Sequence, residues 1–307
     1  MLNRFVRLVL ALWVLALLAP SAFALEAAVV LSKRSDAQTA FATALGREVS
    51  SSASVRLNDA GSTGETINEA ALKRADVVIA VGAEAADAIA ERSTAPVLAA
   101  LISTPNLRAL QQRHPRAKLG GFVLDQPLAR HMRLIRATNA KTTRVGVLLG
   151  PQSAAMRSAI AEAGARQGLT MSFEAIEDTD GLLPALERLL EGSDAILAVP
   201  DPTAYSPGTA RPILLTTYRY RKPLFGYSQA YVTAGAIASV YTTPEDAAHQ
   251  VGEWLVAQQG TGRIDLPAAE APRYFSVGVN RHVARSLQYP VPDESTLVEA
   301  IEKRRPH

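Results

Sequence analysis

Cysteine is absent from all 307 residues. The chain therefore has no disulfide, no thiolate metal site, no cysteine nucleophile and no cysteine to carry a lipid anchor. Aromatic residues are few, and none of the eight tyrosines precedes Tyr205. An excess of one charge is also missing. Two units of the formal charge of +3 are Arg4 and Arg7, which leaves +1 for the rest. The densest basic runs, Arg219-Tyr220-Arg221-Lys222 and Lys303-Arg304-Arg305, are short, so no nucleic-acid partner is expected. G-x-S-x-G, H-E-x-x-H, Walker and G-x-G-x-x-G motifs are all lacking. The histidines, His114, His131, His249, His282 and His307, stand far apart without metal-ligand spacing. No metal and no cofactor is expected, and His131, between Arg130 and Arg133, is expected to face solvent.

Residues 1–24 read as a secretory signal peptide. Arg4 and Arg7 precede the apolar run Leu8 to Leu18, Pro20 breaks it, and Ala22-Phe23-Ala24 suits cleavage. The run is short for a membrane span, which needs about 20 apolar residues. Cleavage would leave a mature chain starting at Leu25, in the periplasm and without a lipid tether.

From Leu25 on, short apolar runs alternate with amphipathic patterns. Ala28–Leu31, a weak segment at Val55, Val77–Val81 and Val97–Ile102 predict strands. Continuous β-branched runs of this kind suit a parallel sheet covered on both faces. Ser35 and Asp36 predict the cap of a helix with Ala37, Phe41, Ala44 and Leu45 inward. The pattern restarts at Phe122-Val123-Leu124, before a helix with Leu128, Met132 and Ile135 inward. Arg144–Leu149, Met171–Phe173, Ile196–Val199, Leu224-Phe225, Ile237–Val240 and Phe275–Val279 predict further strands. A helix from Pro244 buries Ala247, Val251, Trp254 and Leu255, and a last one passes through Leu297 and Ile301. The fold class expected is α/β, with two doubly wound Rossmann-like lobes and a multi-strand hinge. Lobe 1 would take residues 25–119 plus about 243–264, and lobe 2 residues 120–242 plus about 265–307.

Ligands of open parallel sheets bind beyond the carboxyl ends of the strands. That rule selects Ser32, Gly82, Ala83, Glu84, Ser103 and Thr104 in the first lobe. In the second it selects Gly150, Gln152, Ser153, Asp201, Thr203, Tyr205, Tyr227 and Ser228. Free N–H groups at helix starts suit anionic oxygens, and tyrosine suits a flat or sugar-like solute. Ser103, Thr104 and Ser153 have a second reading, as simple helix caps. Asp125 and Asp201, each after a strand, could serve as an acid/base pair or hold an ammonium or hydroxyl group.

Several of these turns resemble the ABC-transporter substrate-binding family that includes tryptophan- and tyrosine-type binding proteins. Gly121-Phe122-Val123-Leu124-Asp125-Gln126-Pro127, Gly150-Pro151-Gln152-Ser153 and Asp201-Pro202-Thr203 are similar to its cleft segments. Lys222-Pro223-Leu224-Phe225-Gly226-Tyr227-Ser228, with Gly235-Ala236-Ile237-Ala238 at a fixed offset, is the most specific match. Pro202, Gln229 and Glu84 depart from the family's pattern on those turns. The resemblance implies a type I periplasmic-binding-protein fold, with Asp125, Ser153, Asp201, Thr203 and Ser228 in the cleft. It implies a periplasmic solute-binding protein that closes on a small ligand, an amino acid or another small anionic or aromatic solute, for an inner-membrane permease. A second reading has it present the ligand to a sensor, and a third makes it an enzyme using Asp125 and Asp201.

Overall fold

A computed structural model describes residues 24–52, 54–260 and 262–302. The expected signal peptide lies outside the described residues, apart from Ala24. Five parallel strands form the first sheet: β1 (Leu25–Leu31), β2 (Val55–Ser62), β3 (Val77–Val81), β4 (Val97–Ile102) and β5 (Leu119–Val123), in the order β2-β1-β3-β4-β5. Side chains alternate across each strand, so β1 feeds two cores. Val29 and Leu31 pack with Phe41, Leu45 and Val49 of α1 (Asp36–Ser50) and with Val251 and Leu255 of the distant helix Pro244–Ala257. Ala28 and Val30 pack on the opposite face with α2 (Glu69–Arg74), α3 (Ala83–Ala90) and α4 (Thr104–Arg113). Both faces are covered, which is why the strands read as unbroken apolar runs. Each fully buried large side chain, Phe41 or Ile79 for example, contributes about 1.5–3 kcal/mol.

The second sheet contains β6 (Arg144–Leu149), β7 (Thr170–Ala175), β8 (Ala195–Leu197), β9 (Leu224–Gly226), β10 (Ala238–Tyr241) and β11 (Ser276–Val279), in the order β11-β10-β9-β8-β6-β7. Only β11 runs antiparallel to its neighbour among the described strands. Around it lie α5 (Leu128–Thr138), α6 (Arg157–Ala165), α7 (Leu182–Gly192), α8 (Pro207–Arg219), α9 (Gln229–Ala234), then α10 (Pro244–Ala257) on the other lobe, α11 (Arg281–Ser286) and α12 (Glu294–Glu302). The molecule is thus two lobes of the type I periplasmic-binding-protein kind.

Some details differ from the sequence reading. Strand β5 does not open the second lobe at residue 120. It pairs with β4, and Phe122 meets Trp254 edge-to-face at 6.3 Å in the first core. Residues 267–270 likewise stay with the first sheet, where Gly121 N and Val123 N donate to Pro267 O and Glu270 O, and the chain joins the second sheet only at β11. Ala37 is exposed because the first turn of α1 runs past the packed layer. Trp254 is only half-buried, its indole donating to Asp265 O. Helices α2, α8, α9 and α11 were not predicted. Pro207, Gly208 and Pro212 punctuate α8, yet a Ser206–Thr209 capping box starts it.

Three segments pass between the lobes: one around Leu124–Pro127, one at Thr242–Thr243 and one near Ala271–Phe275. Side chains tie them in series. Gln126 Nε2 donates to Thr242 Oγ1 (2.6 Å), and that hydroxyl donates to Tyr274 O (3.2 Å). Arg130 donates to Gln126 Oε1, Pro272 O and Arg273 O, with its guanidinium 4.3 Å from the Phe275 ring centre. This is the multi-strand hinge.

Candidate functional site

A cavity of about 400 Å³ opens where the hinge meets the carboxyl ends of the second sheet. Its walls are largely apolar, from Leu128, Met156, Val199, Tyr227 and Tyr241. Ser103 reaches it from the first lobe, and Asp125, Gln126, Thr242 and Thr243 from the crossings. Several helices begin here. Ser103 accepts from Asn106 N at the start of α4, Ser228 from Tyr231 N at the start of α9, and Thr243 from Asp246 N at the start of α10. Thr104 donates through both N and Oγ1 to Asp125 Oδ2 (2.5 and 3.0 Å). Asp125 therefore pins the first crossing to the N-terminus of α4 while still lining the cavity.

His131 also lines this cavity, which corrects the expectation that it faces solvent. It is only 8% exposed, and its Nδ1 has no hydrogen-bond partner. The reason is helical spacing: position 131 shares the inward stripe of 128, 132 and 135. Burial, and then the neighbouring Arg130 charge, lower its pKa to about 4, so the imidazole is neutral at pH 7. Among the described residues, no lysine or arginine lines the cavity.

Other expected site residues are occupied in holding turns. Asp201 is 3% exposed and accepts five hydrogen bonds. Gln152 N, Ser153 N and Ser153 Oγ reach Oδ2, and Thr203 N and Ala204 N reach Oδ1, at 2.8–3.1 Å. Burial works to raise its pKa, but bonds from Ala204, Ser153 and Thr203 win and hold the carboxyl below its ordinary value. The staple needs Gly150, since a Cβ there would fall 2.1 Å from Asp201 Oδ1. With all its strong acceptor positions used, Asp201 is not available as half of an acid/base pair. Gly150, Gln152, Ser153, Asp201 and Thr203 do not line the cavity.

Ser32 and Gly82 form a similar knot in the first lobe. Ser32 Oγ donates to Val81 O (3.0 Å) and accepts from Ala85 N (2.9 Å). Gly82 has φ +92°, and a Cβ there would meet that oxygen at 2.5 Å. Ala83 and Glu84 begin α3, and neither they nor Ser32 line the cavity. Tyr205 lies beneath it, buried, with an unpartnered hydroxyl, while its carbonyl accepts from Tyr227 OH (3.3 Å). The Tyr227 and Tyr231 rings meet at a tilt, with centres 5.0 Å apart. Burial raises the pKa of all three phenols, which stay protonated.

Residues 51–303 match the family model described as ABC transporter substrate binding protein. The chain belongs to that family. Solved structures share the fold of this family member. The ligand-free, open structure of a substrate binding protein with adhesive properties from Clostridium difficile aligns with 88% of this chain and 97% of its own, at TM-score 0.70 and 14% identity. An ABC domain in complex with L-Trp from Streptococcus pneumonia covers 89% of this chain and 98% of its own, at TM-score 0.56 and 18% identity. A periplasmic ribose ABC transporter from Conexibacter woesei covers 88% and 97%, at 0.52 and 13%. Likeness at such identity concerns the fold alone. No curated protein sequence matches the chain.

Of the residues predicted from the sequence, Ser103, Asp125, Tyr227 and Ser228 meet at the inter-lobe cavity. Gln126, His131, Met156, Tyr241 and Thr242 were missed as cavity residues. The helical phase of α5 contains the signal for His131. Tyr241 is the last residue of β10 and Thr242 follows it, where the carboxyl-end rule would have reached them had it been applied to that strand.

Proposed function

We propose that the chain is an exported solute-binding protein that captures a small ligand in the inter-lobe cleft and hands it to an ABC-type permease in the inner membrane. One observation carries this reading: a cavity of about 400 Å³ sits against a hinge of three side-by-side crossings. Closing about that hinge would bring the first-lobe turns at Ser32 and Gly82–Glu84 onto a guest resting on the second lobe. The walls favour a solute with an apolar or flat body. Ser103, Gln126, Ser228 and Asp125 would meet its polar groups, and among the described residues no lysine or arginine lines the cavity for an acidic one. Membership of a substrate-binding family supports the transport role, and a relative in complex with L-Trp supports a guest of that size. Binding without turnover agrees with Asp201 being consumed by the turn it holds.

A thermal-shift screen against amino acids, nucleosides, sugars and vitamins tests the reading. A true ligand at a hundredfold excess over its Kd stabilises the native state by about 2.7 kcal/mol. The same ligand should lose its effect on Tyr227→Ala. A shift that survives this substitution would move the site elsewhere.

A further inference from the structure

The second lobe has another concave surface, which shares no lining residue with the inter-lobe cavity. It is a groove of about 540 Å³ between α8, the end of α9 and α11. Leu214 and Leu224 form its floor, Val283 and Leu287 one wall, and Arg211 and Lys222 its rim. Leu215 and Tyr218 stand at its edge, 54% and 50% exposed. With Tyr220, they are three of the six large hydrophobic side chains exposed among the described residues. Single exposed apolar residues are ordinary, but their gathering around a groove is a mark of a contact surface.

The charge there has one sign. No Asp or Glu occurs between Asp201 and Glu245. Among the described residues, Arg211, Arg219, Arg221 and Lys222 have no carboxylate within ion-pair distance, whereas Arg281 of α11 is paired with Glu294 at 2.6 Å. We propose that this face docks an acidic amphipathic segment of a partner protein, with an apolar side chain seated in the groove and carboxylates on the basic rim. Two features select that occupant. The surface is concave, which suits a protruding side chain and not a flat bilayer. A second copy in two-fold contact would set the unpaired cations against themselves. The contact would be separate from ligand capture, because none of these residues lines the cleft cavity.

Selection of random 15-residue peptides from a display library on the immobilised full chain tests this. Recovered peptides should be rich in Asp and Glu interleaved with Leu or Phe. Their affinity should fall about tenfold or more on Arg211→Glu/Lys222→Glu and on Leu215→Asp, and should weaken in raised salt. Both variants should keep the parent's circular dichroism and melting temperature. Peptides without acidic bias, or peptides indifferent to both variants, would overturn the proposal. So would sedimentation showing Leu215-dependent dimers, which would make a second copy the occupant. Co-sedimentation with vesicles of phosphatidylglycerol, abolished by the charge reversal, would overturn it in favour of a membrane surface.

Discussion

His131 shows how a single side chain can link cleft geometry to acid sensitivity. The folded protein lowers its pKa from 6.5 to about 4, first through burial and then through Arg130. Between those values the unfolded chain takes up a proton that the folded chain does not. Stability is therefore fully present above the unfolded value and declines as pH falls toward 4. The decline assigned to this group is about 3 kcal/mol. Asp194, held at about 2 by Arg144 and Thr143 against its own desolvation, adds a separate loss at lower pH. Comparing urea unfolding of the parent and His131→Asn from pH 7 to pH 4 isolates the histidine. The parent should lose about 3 kcal/mol more than the variant over this range. Parallel curves would show that His131 does not titrate as its surroundings dictate.

At the scale of elements, the hinge depends on α5 as much as on the crossings. Arg130 is half-buried, and burial, followed by repulsion from Arg133, lowers its pKa, yet it remains charged at any ordinary pH. Its planar fork reaches Gln126 Oε1, Pro272 O and Arg273 O together, and its face lies on Phe275. Lysine keeps the charge but cannot make this set of contacts. Arg130→Lys should cost about 2 kcal/mol, read as a lower urea midpoint with an unchanged slope. A variant as stable as the parent would remove Arg130 from the hinge. The helices of both lobes follow the same logic of local start signals. Ser35, Ser103, Thr243 and Ser206 cap α1, α4, α10 and α8, and the last two are completed capping boxes. Two of these caps, Ser103 and Thr243, also line the inter-lobe cavity, so helix starts and cavity wall are built from the same residues.

For the molecule as a whole, two separately packed lobes and three tied crossings make rigid-body closure the expected response to a ligand. Small-angle scattering with a saturating ligand from the thermal-shift screen should show a smaller radius of gyration. An unchanged radius would mean that capture occurs without closure. The fold was readable in advance because runs such as Val77–Val81 and Arg144–Leu149 have to be buried on both faces, and helices capped at Ser35 and Thr243 follow from local chemistry. The cavity was readable in part. Position after a strand found Ser103, Asp125, Tyr227 and Ser228, but the same rule also picked Asp201 and Ser32, whose polar atoms are spent inside their own turns. Sequence alone determined the strands with unbroken apolar runs and the helices with a clear period or cap, since periodicity and capping act over a few residues. Only the tertiary structure decided which turn residues remain open to a guest. That depends on hydrogen bonds between Asp201 and Ser153, or Gln126 and Thr242, partners about fifty and more than a hundred residues apart, and no local pattern encodes such pairings.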